Sequence, residues 1–278
     1  MEKDNIMVVG LISDLHLDFF IKKYQDVEQY FKTVLAKENT LDIDVLVIAG
    51  DMSHYNNLTI NFVKKILEDD SEIEIILVAG NHDLYLVSNE QDKKYQGNSW
   101  GRIEELKKEF AKMDRVHFLD GTQVIIKGVI FGGTMGWYNV TDFFAWISNS
   151  NDASYIRKSF RVERGNAPRV YYDTFALYQE ELAKMQDLYC NVLITHVPFV
   201  NIPDELNTTF AGSSTNEYFM SDAFNFVKAT NADYYLFGHV HERFDFIQDE
   251  VRCITNPVGY PYEFKEKRKD FQIKRIII

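Results

Sequence analysis

Five apolar runs in this chain of 278 residues each end on side chains able to bind a metal ion. Residues 6–13 lead into Asp14-Leu15-His16, 44–49 into Gly50-Asp51, and 73–79 into Gly80-Asn81-His82-Asp83. Residues 192–195 lead into His196, and 234–237 into Gly238-His239-Val240-His241. Of the seven histidines in the chain, five fall at these ends, a placement that chance explains poorly. Carboxylate, imidazole and side-chain amide together suit borderline divalent cations such as Mn²⁺, Fe²⁺ or Zn²⁺, whereas a thiolate site needs cysteines that these ends lack. Asp51 follows a glycine that lets the backbone turn sharply, so its carboxylate can face a crevice and be shared. A carboxylate shared between two ions holds them about 3.5–4 Å apart, the separation at which a metal pair flanks an in-line displacement at phosphorus. In an extended segment residues two apart point the same way, so Asp14 with His16 and His239 with His241 are expected as same-facing pairs.

The elements that must position these side chains alternate. Apolar residues at helical spacing predict helices over 26–38 and 58–68 between the first three runs, giving a β-α-β-α-β series. Such a series implies parallel strands with right-handed crossovers and a ligand site beyond the carboxyl strand ends, where the His, Asp and Asn residues fall. A helix over 101–112 follows a polar stretch at 88–99, and then come three short segments at 116–119, 123–127 and 129–132, expected to pair antiparallel across Gly-containing turns. Helices over 174–188 and 217–228 precede the last two site-bearing strands, and strands at 243–248, 252–255 and 271–278 close the chain. The expected fold class is α/β, with two mixed β-sheets packed as a sandwich and helices on both outer sides.

Composition sets outer limits. With 46% hydrophobic residues the chain can bury a large core, and residues 1–278 are read as a single domain. No run is long enough to span a bilayer, and the charged start leads at once into the strand carrying Asp14, so a cytoplasmic location without a membrane partner is expected. A net charge of −12 argues against extended nucleic acid as a partner. Cys190 and Cys253 lack metal or redox spacing and read as buried apolar residues. The oligomeric state is left open.

Taken in order, Asp14-x-His16, Gly50-Asp51, Gly80-Asn81-His82-Asp83, His196 and Gly238-His239-x-His241 resemble the motif series of the calcineurin-like metallophosphoesterases. The resemblance runs from Ser13 to His241 and implies a four-layer αββα fold. It implies that Asp14, His16, Asp51 and His241 hold one divalent metal ion, and that Asp51, Asn81, His196 and His239 hold the other. It also implies a catalytic His82 near the leaving group, its ring oriented by Asp83. Gly133-Thr134 and the segment 256–260 resemble family segments near the site. The implied activity is hydrolysis of a small phosphomonoester or phosphodiester. The family also includes nucleases and non-catalytic scaffolds; the acidic balance weighs against the first and the full residue set against the second.

One stretch stands apart. Residues 136–172 are aromatic and basic without clean periodicity, which predicts a lid-like insertion over the site. Arg157 and Arg161 within it are expected to meet substrate, as is His54, three residues past Asp51. His117 reads as structural.

Overall fold

The computed structural model describes residues 6–24, 30, 42–158, 172–203, 206, 216–263 and 271–278. Its strands are β1 (Val8–Ile12), β2 (Val45–Ala49), β3 (Glu74–Val78), β4 (Val116–Phe118), β5 (Thr122–Ile126), β6 (Val129–Gly133), β7 (Val192–Ile194), β8 (Tyr234–Phe237), β9 (Phe244–Gln248), β10 (Val251–Thr255) and β11 (Lys274–Ile277). The helices are α1 (Leu17–Tyr24), α2 (Asn56–Asp69), α3 (Asn89–Lys94), α4 (Trp100–Phe110), α5 (Phe143–Asn149), α6 (Asn151–Tyr155), α7 (Thr174–Gln186) and α8 (Phe224–Ala229).

The strands form two mixed sheets, in the orders β11-β1-β2-β3-β4 and β5-β6-β7-β8-β10-β9. In the first, β1 to β4 run parallel and β11 pairs antiparallel with β1. In the second, β6, β7, β8 and β10 run parallel, with β5 and β9 as antiparallel edges. Side chains alternate across each strand, so both faces of each sheet must be covered. Val45, Val47 and Ala49 of β2 pack with Val192, Ile194, Leu236 and Ile254 in the layer between the sheets. Leu46 and Ile48 point the other way, onto Phe62, Val63 and Ile66 of α2 and Leu106 and Phe110 of α4. On the far side, Leu193, Tyr235 and Phe237 meet Leu177, Leu182 and Met185 of α7 and Phe224 and Val227 of α8. Three apolar layers between four structural layers give the αββα sandwich expected from the strand and helix order.

Local structure departs from the sequence reading in four places. Segment β4 pairs parallel with β3 in the first sheet, and only β5 and β6 form the expected antiparallel hairpin, because the chain changes sheets at Asp120-Gly121. The helix expected over 217–228 is a 3-10 turn at Asn216–Tyr218 followed by α8, since the N–H of Ser221 bonds to Pro198 O and interrupts the helical ladder. Helix α1 and the Ser88-capped α3 were not expected. Of the helix predicted over 26–38 only Tyr30 is described; it is helical, and its hydroxyl donates to Leu15 O. The rest lies outside the described residues. Cys190 and Cys253 are buried, and His117 bonds Glu74 across neighbouring strands. Among the described residues no helix is long and apolar enough to cross a membrane.

One buried cation ties the strand-end turns together. Arg102 of α4 is fully buried. Its guanidinium donates to the carbonyls of Ser53 (2.9 Å), His82 (3.0 Å) and Tyr85 (2.9 Å) and to Asn56 Oδ1 (3.0 Å). These carbonyls belong to the turns after β2 and β3, so one side chain fixes how the two turns sit against each other. Arg102→Met keeps the apolar stem and strands the carbonyls without donors, at about 1–3 kcal/mol for each buried group left unsatisfied. Urea unfolding should show a loss of at least about 2 kcal/mol, and unchanged stability would mean that the turns do not depend on this clamp.

Candidate metal centre

The turns after β1, β2, β3, β7 and β8 meet at one edge of the sandwich. They interlock through the backbone: the N–H groups of Asp14 and His16 bond to the carbonyls of Gly50 and Asp51 (both 3.1 Å), and Gly238 N bonds to His196 O (3.0 Å). The 256–260 segment joins them, with Ser13 N on Asn256 O, Val258 N on Ser13 O and Gly259 N on Asp14 O. Gly133-Thr134 reaches the site less directly, through the neighbouring Met135 O, which accepts from His196 N (2.9 Å).

The backbone conformation corrects one sequence argument. Asp14, His16, Asp51, His239 and His241 all have positive φ, from 44° at His16 to 72° at His239. These residues are therefore not extended, and the same-facing pairs converge through left-handed turns instead of strand alternation. Left-handed backbone costs an L-residue about 1–2 kcal/mol, and such cost persists where the surroundings over-determine it, commonly at functional sites. Two glycines make room. A Cβ on Gly238 would lie 2.5 Å from Ala49 O, and one on Gly50, itself at φ +80°, would lie 2.5 Å from the His196 ring.

Two groups of ligand atoms result. One atom each from Asp14, His16, Asp51 and His241 lie within 4.8 Å of one another, as do atoms from Asp51, His196 and His239. Asp51 belongs to both, and its two oxygens face apart: Oδ1 is 3.3 Å from His196 Nε2, and Oδ2 is 3.9 Å from His16 Nε2. Asn81 joins the second group, its Oδ1 3.0 Å from His196 Nε2.

Proton accounting tests whether a cation fits. His196 Nδ1 lies 2.8 Å from Ala49 O and His239 Nε2 lies 2.9 Å from Tyr218 O, so each of these nitrogens carries the hydrogen and donates. That leaves the lone pairs of His196 Nε2 and His239 Nδ1 facing each other at 3.2 Å, beside the oxygens of Asn81 and Asp51. The first group repeats the pattern. His241 Nδ1 donates to Glu263 Oε2 (2.9 Å), and His241 Nε2 faces His16 Nε2 at 3.0 Å and Asp14 Oδ1 at 3.4 Å. Converging lone pairs with outward-facing hydrogens and carboxylate or carbonyl supports are the arrangement that metal-binding histidines use.

The electrostatics agree. Burial opposes ionisation of Asp51, but His196, His82 and His16 outweigh it and hold the carboxylate well below its ordinary range. Burial also opposes charge on His196 and His241; the carboxylates of Asp51 and Asp14 push the first up to about 9, and Asp14 with Glu263 push the second to about 10. His16, buried beside His82 and His241, is held well below its usual value. The two carboxylates thus draw positive charge into both groups, and a proton on each is the smallest cation that satisfies them.

His82 sits at the mouth, its Nε2 3.8 Å from Asp51 Oδ2 and 3.3 Å from the Tyr260 hydroxyl. Asp83 does not orient it. Its carboxylate accepts the backbone N–H groups of Gly80 (2.8 Å), Met52 (3.3 Å) and Ser53 (3.4 Å), stapling the β2 and β3 turns together. Burial, with Asp51 nearby, pushes the Asp83 carboxyl up to about 6. The partner of the His82 ring is His54, whose Nε2 lies 2.8 Å from His82 Nδ1 and whose Nδ1 lies 3.0 Å from Asp18 Oδ2. His54 therefore stands behind His82 and does not line the cavity, against the expectation that it meets substrate. Arg157 is likewise drawn away, its Nη1 2.7 Å from Asp92 Oδ1. Arg161 lies outside the described residues. Asp18, on the unexpected helix α1, left no sequence signal.

A cavity of about 380 Å³ opens beside Asp51 and His82, with Tyr218, Phe219, Tyr260 and Tyr262 among its walls. Among the described residues of the 136–172 stretch, Asn149, Ser150, Asn151 and Asp152 reach it, polar residues in place of the aromatic and basic ones expected. Trp137, Tyr138 and Trp146 are fully buried instead.

The profile of the calcineurin-like phosphoesterases matches residues 7–243. The chain belongs to that family. This phosphoesterase-family chain is 28% identical over 111 residues to a probable cyclic nucleotide phosphodiesterase of Fibrobacter succinogenes, a match covering 37% of this chain and 43% of that one. The phosphopantetheinyl hydrolase of Mycobacterium tuberculosis shares the fold, with a TM-score of 0.69 and 16% identity over 97% of this chain and 95% of that one.

Saturating the chelator-treated protein with Mn²⁺ or Zn²⁺ should raise its thermal midpoint, since a ligand at a hundred times its Kd adds about 2.7 kcal/mol. Asp51→Asn should abolish most of the gain, and a full gain in that variant would place the ions elsewhere.

Proposed function

We propose that this chain hydrolyses a small phosphate ester using two divalent ions. Asp14, His16, Asp51 and His241 hold one; Asp51, Asn81, His196 and His239 hold the other. The observation that carries the reading is the division of Asp51, one oxygen toward each group of imidazoles. The donor set suits Mn, Fe or Zn. When bound, such a pair binds the phosphoryl oxygens and lowers the pKa of a water so that hydroxide is available near neutral pH.

His82 supplies the proton or hydrogen bond at the leaving oxygen. Burial lowers its pKa to about 4 although Asp51 pulls the other way, so the ring is neutral at physiological pH. Proton donation at the leaving oxygen therefore takes a second proton on the ring, held on Nε2 and facing the cavity. His54 fixes the other side of the ring: its Nδ1–H donates to the Asp18 carboxylate, so its Nε2 accepts the Nδ1–H of His82 and leaves His82 Nε2 facing the cavity. Asp18 is itself fixed by donation from Ser53 Oγ and His54 N, both at 3.1 Å. The catalytic residue is thus backed by an imidazole and a carboxylate in series.

The cavity volume supports a small ester. Its described walls are aromatic, amide and acidic, with Glu242 and Glu263 among them and neither Lys nor Arg, which fits a single phosphoryl group better than a polyanionic strand. Cyclic nucleotides are the first substrates to assay, because the curated relative is named for them.

His82→Ala should keep both ions and lose about a hundred- to ten-thousand-fold in kcat, the range general acid catalysis supplies. His54→Ala should fall between that variant and the wild type, with its pH profile displaced. A collapse of metal content in His82→Ala would make His82 a ligand and overturn the assignment.

A further inference from the structure

Asn81 differs from the other proposed ligands because its side chain has two faces of nearly equal shape and opposite chemistry. Only the amide oxygen binds a cation; turned over, the group presents an NH₂. Something must therefore decide which end faces His196 and Asp51. The structure places Asp152 on the other side of the amide. Asp152 is 4% exposed, and its Oδ1 accepts from Asn81 Nδ2 at 2.8 Å. The same carboxylate accepts the hydroxyl of Tyr85 (2.5 Å) on Oδ1 and the hydroxyl of Tyr138 on Oδ2. Tyr138 in turn accepts the indole N–H of Trp146 (2.9 Å). Three donors thus converge on the buried carboxylate, and an amide oxygen turned toward it would meet a carboxylate with no hydrogen between them.

We infer that Asp152 is a positioning residue for the metal centre, locking the Asn81 amide with its oxygen toward the second ion. This rests on the reading of Asn81 as a ligand. It also gives the aromatic segment after Gly136 a role other than covering the cavity. Asp152 sits in α6, and its chain neighbours are pinned to the body by Leu86 N on Tyr155 O (2.9 Å) and Ser99 N on Arg157 O (2.8 Å). Buried Tyr138 and Trp146 hold the carboxylate from behind. The segment is a buttress to the ion held by Asp51, Asn81, His196 and His239.

The test is a reciprocal exchange read by calorimetric titration of the chelator-treated protein with Mn²⁺. Asp152→Asn should weaken one of two binding events about ten- to a hundredfold, as loss of a group that orients a ligand does, and leave the other unchanged. Combining it with Asn81→Asp, which puts the carboxylate on the metal side and the amide behind it, should restore most of that affinity. A structural defect would not be repaired by the exchange. Tyr138→Phe, which removes one donor and keeps the ring, should weaken the same event less and serves if Asp152→Asn does not fold. Wild-type binding of both ions by Asp152→Asn and Tyr138→Phe, or losses that add in the double variant, would overturn the inference. A wild-type protein that binds fewer than two ions would overturn the proposed function beneath it.

Discussion

An ionised carboxylate with almost no access to water is the constraint around which this site is built. Asp51 is 1% exposed, and burying an unpaired charge in a protein interior is prohibitive. The charge is tolerated because each oxygen has its own source of compensation. His82 N donates to Oδ1 at 2.8 Å, and imidazoles from four separate turns surround the rest. Asp14 repeats the problem on one side, accepting from Ser13 Oγ (2.5 Å) and His239 N (3.0 Å). Two buried carboxylates this close repel each other, and only cations between and beside them remove the repulsion. The left-handed turns, the glycine contacts and the Arg102 clamp follow as means of bringing those cation-binding groups together.

The fold solves the delivery problem with little specialised structure. Parallel strands end on the same edge, and where two sheets pack face to face the edges adjoin, so residues far apart in sequence meet without long loops. His196 and His239 come from the second sheet and Asp14, His16, Asp51 and Asn81 from the first. The buried layer between the sheets, Val47 and Ala49 against Ile194 and Leu236, fixes their separation. Val47, Ile194 and Leu236 each contribute about 1.5–3 kcal/mol through burial, so the relative placement of the two halves of the site is inherited from the core.

Much of this was legible in the sequence, for a physical reason. Strand ends in a β-α-β series are known positions, and a His, Asp or Asn immediately after an apolar run can be placed on the site edge by counting. Asp51, His196 and the pairs around Asp14 and His239 were found that way. Their exact backbone conformation was not, because a left-handed turn and an extended strand end leave the same apolar run before them. Residues acting from behind carry no such mark. Asp18, Arg102 and Asp152 lie in helices where a lone charge reads as a solvated face, and their partners are 36, 46 and 71 positions away in sequence. The role given to Asp83 failed for a related reason. The family resemblance implied a ring contact with His82, whereas a 3-10 turn at Asn81–Leu84 directs the carboxylate back to Gly80 N and leaves the ring to His54.

The central claim is that Asp51 stands between two cations. Crystals grown with Mn²⁺ and measured at its absorption edge test this directly. Two anomalous peaks about 3.5–4 Å apart, each in contact with a different oxygen of Asp51, are the predicted result. A single peak, or a pair that leaves Asp51 uncoordinated, would contradict it.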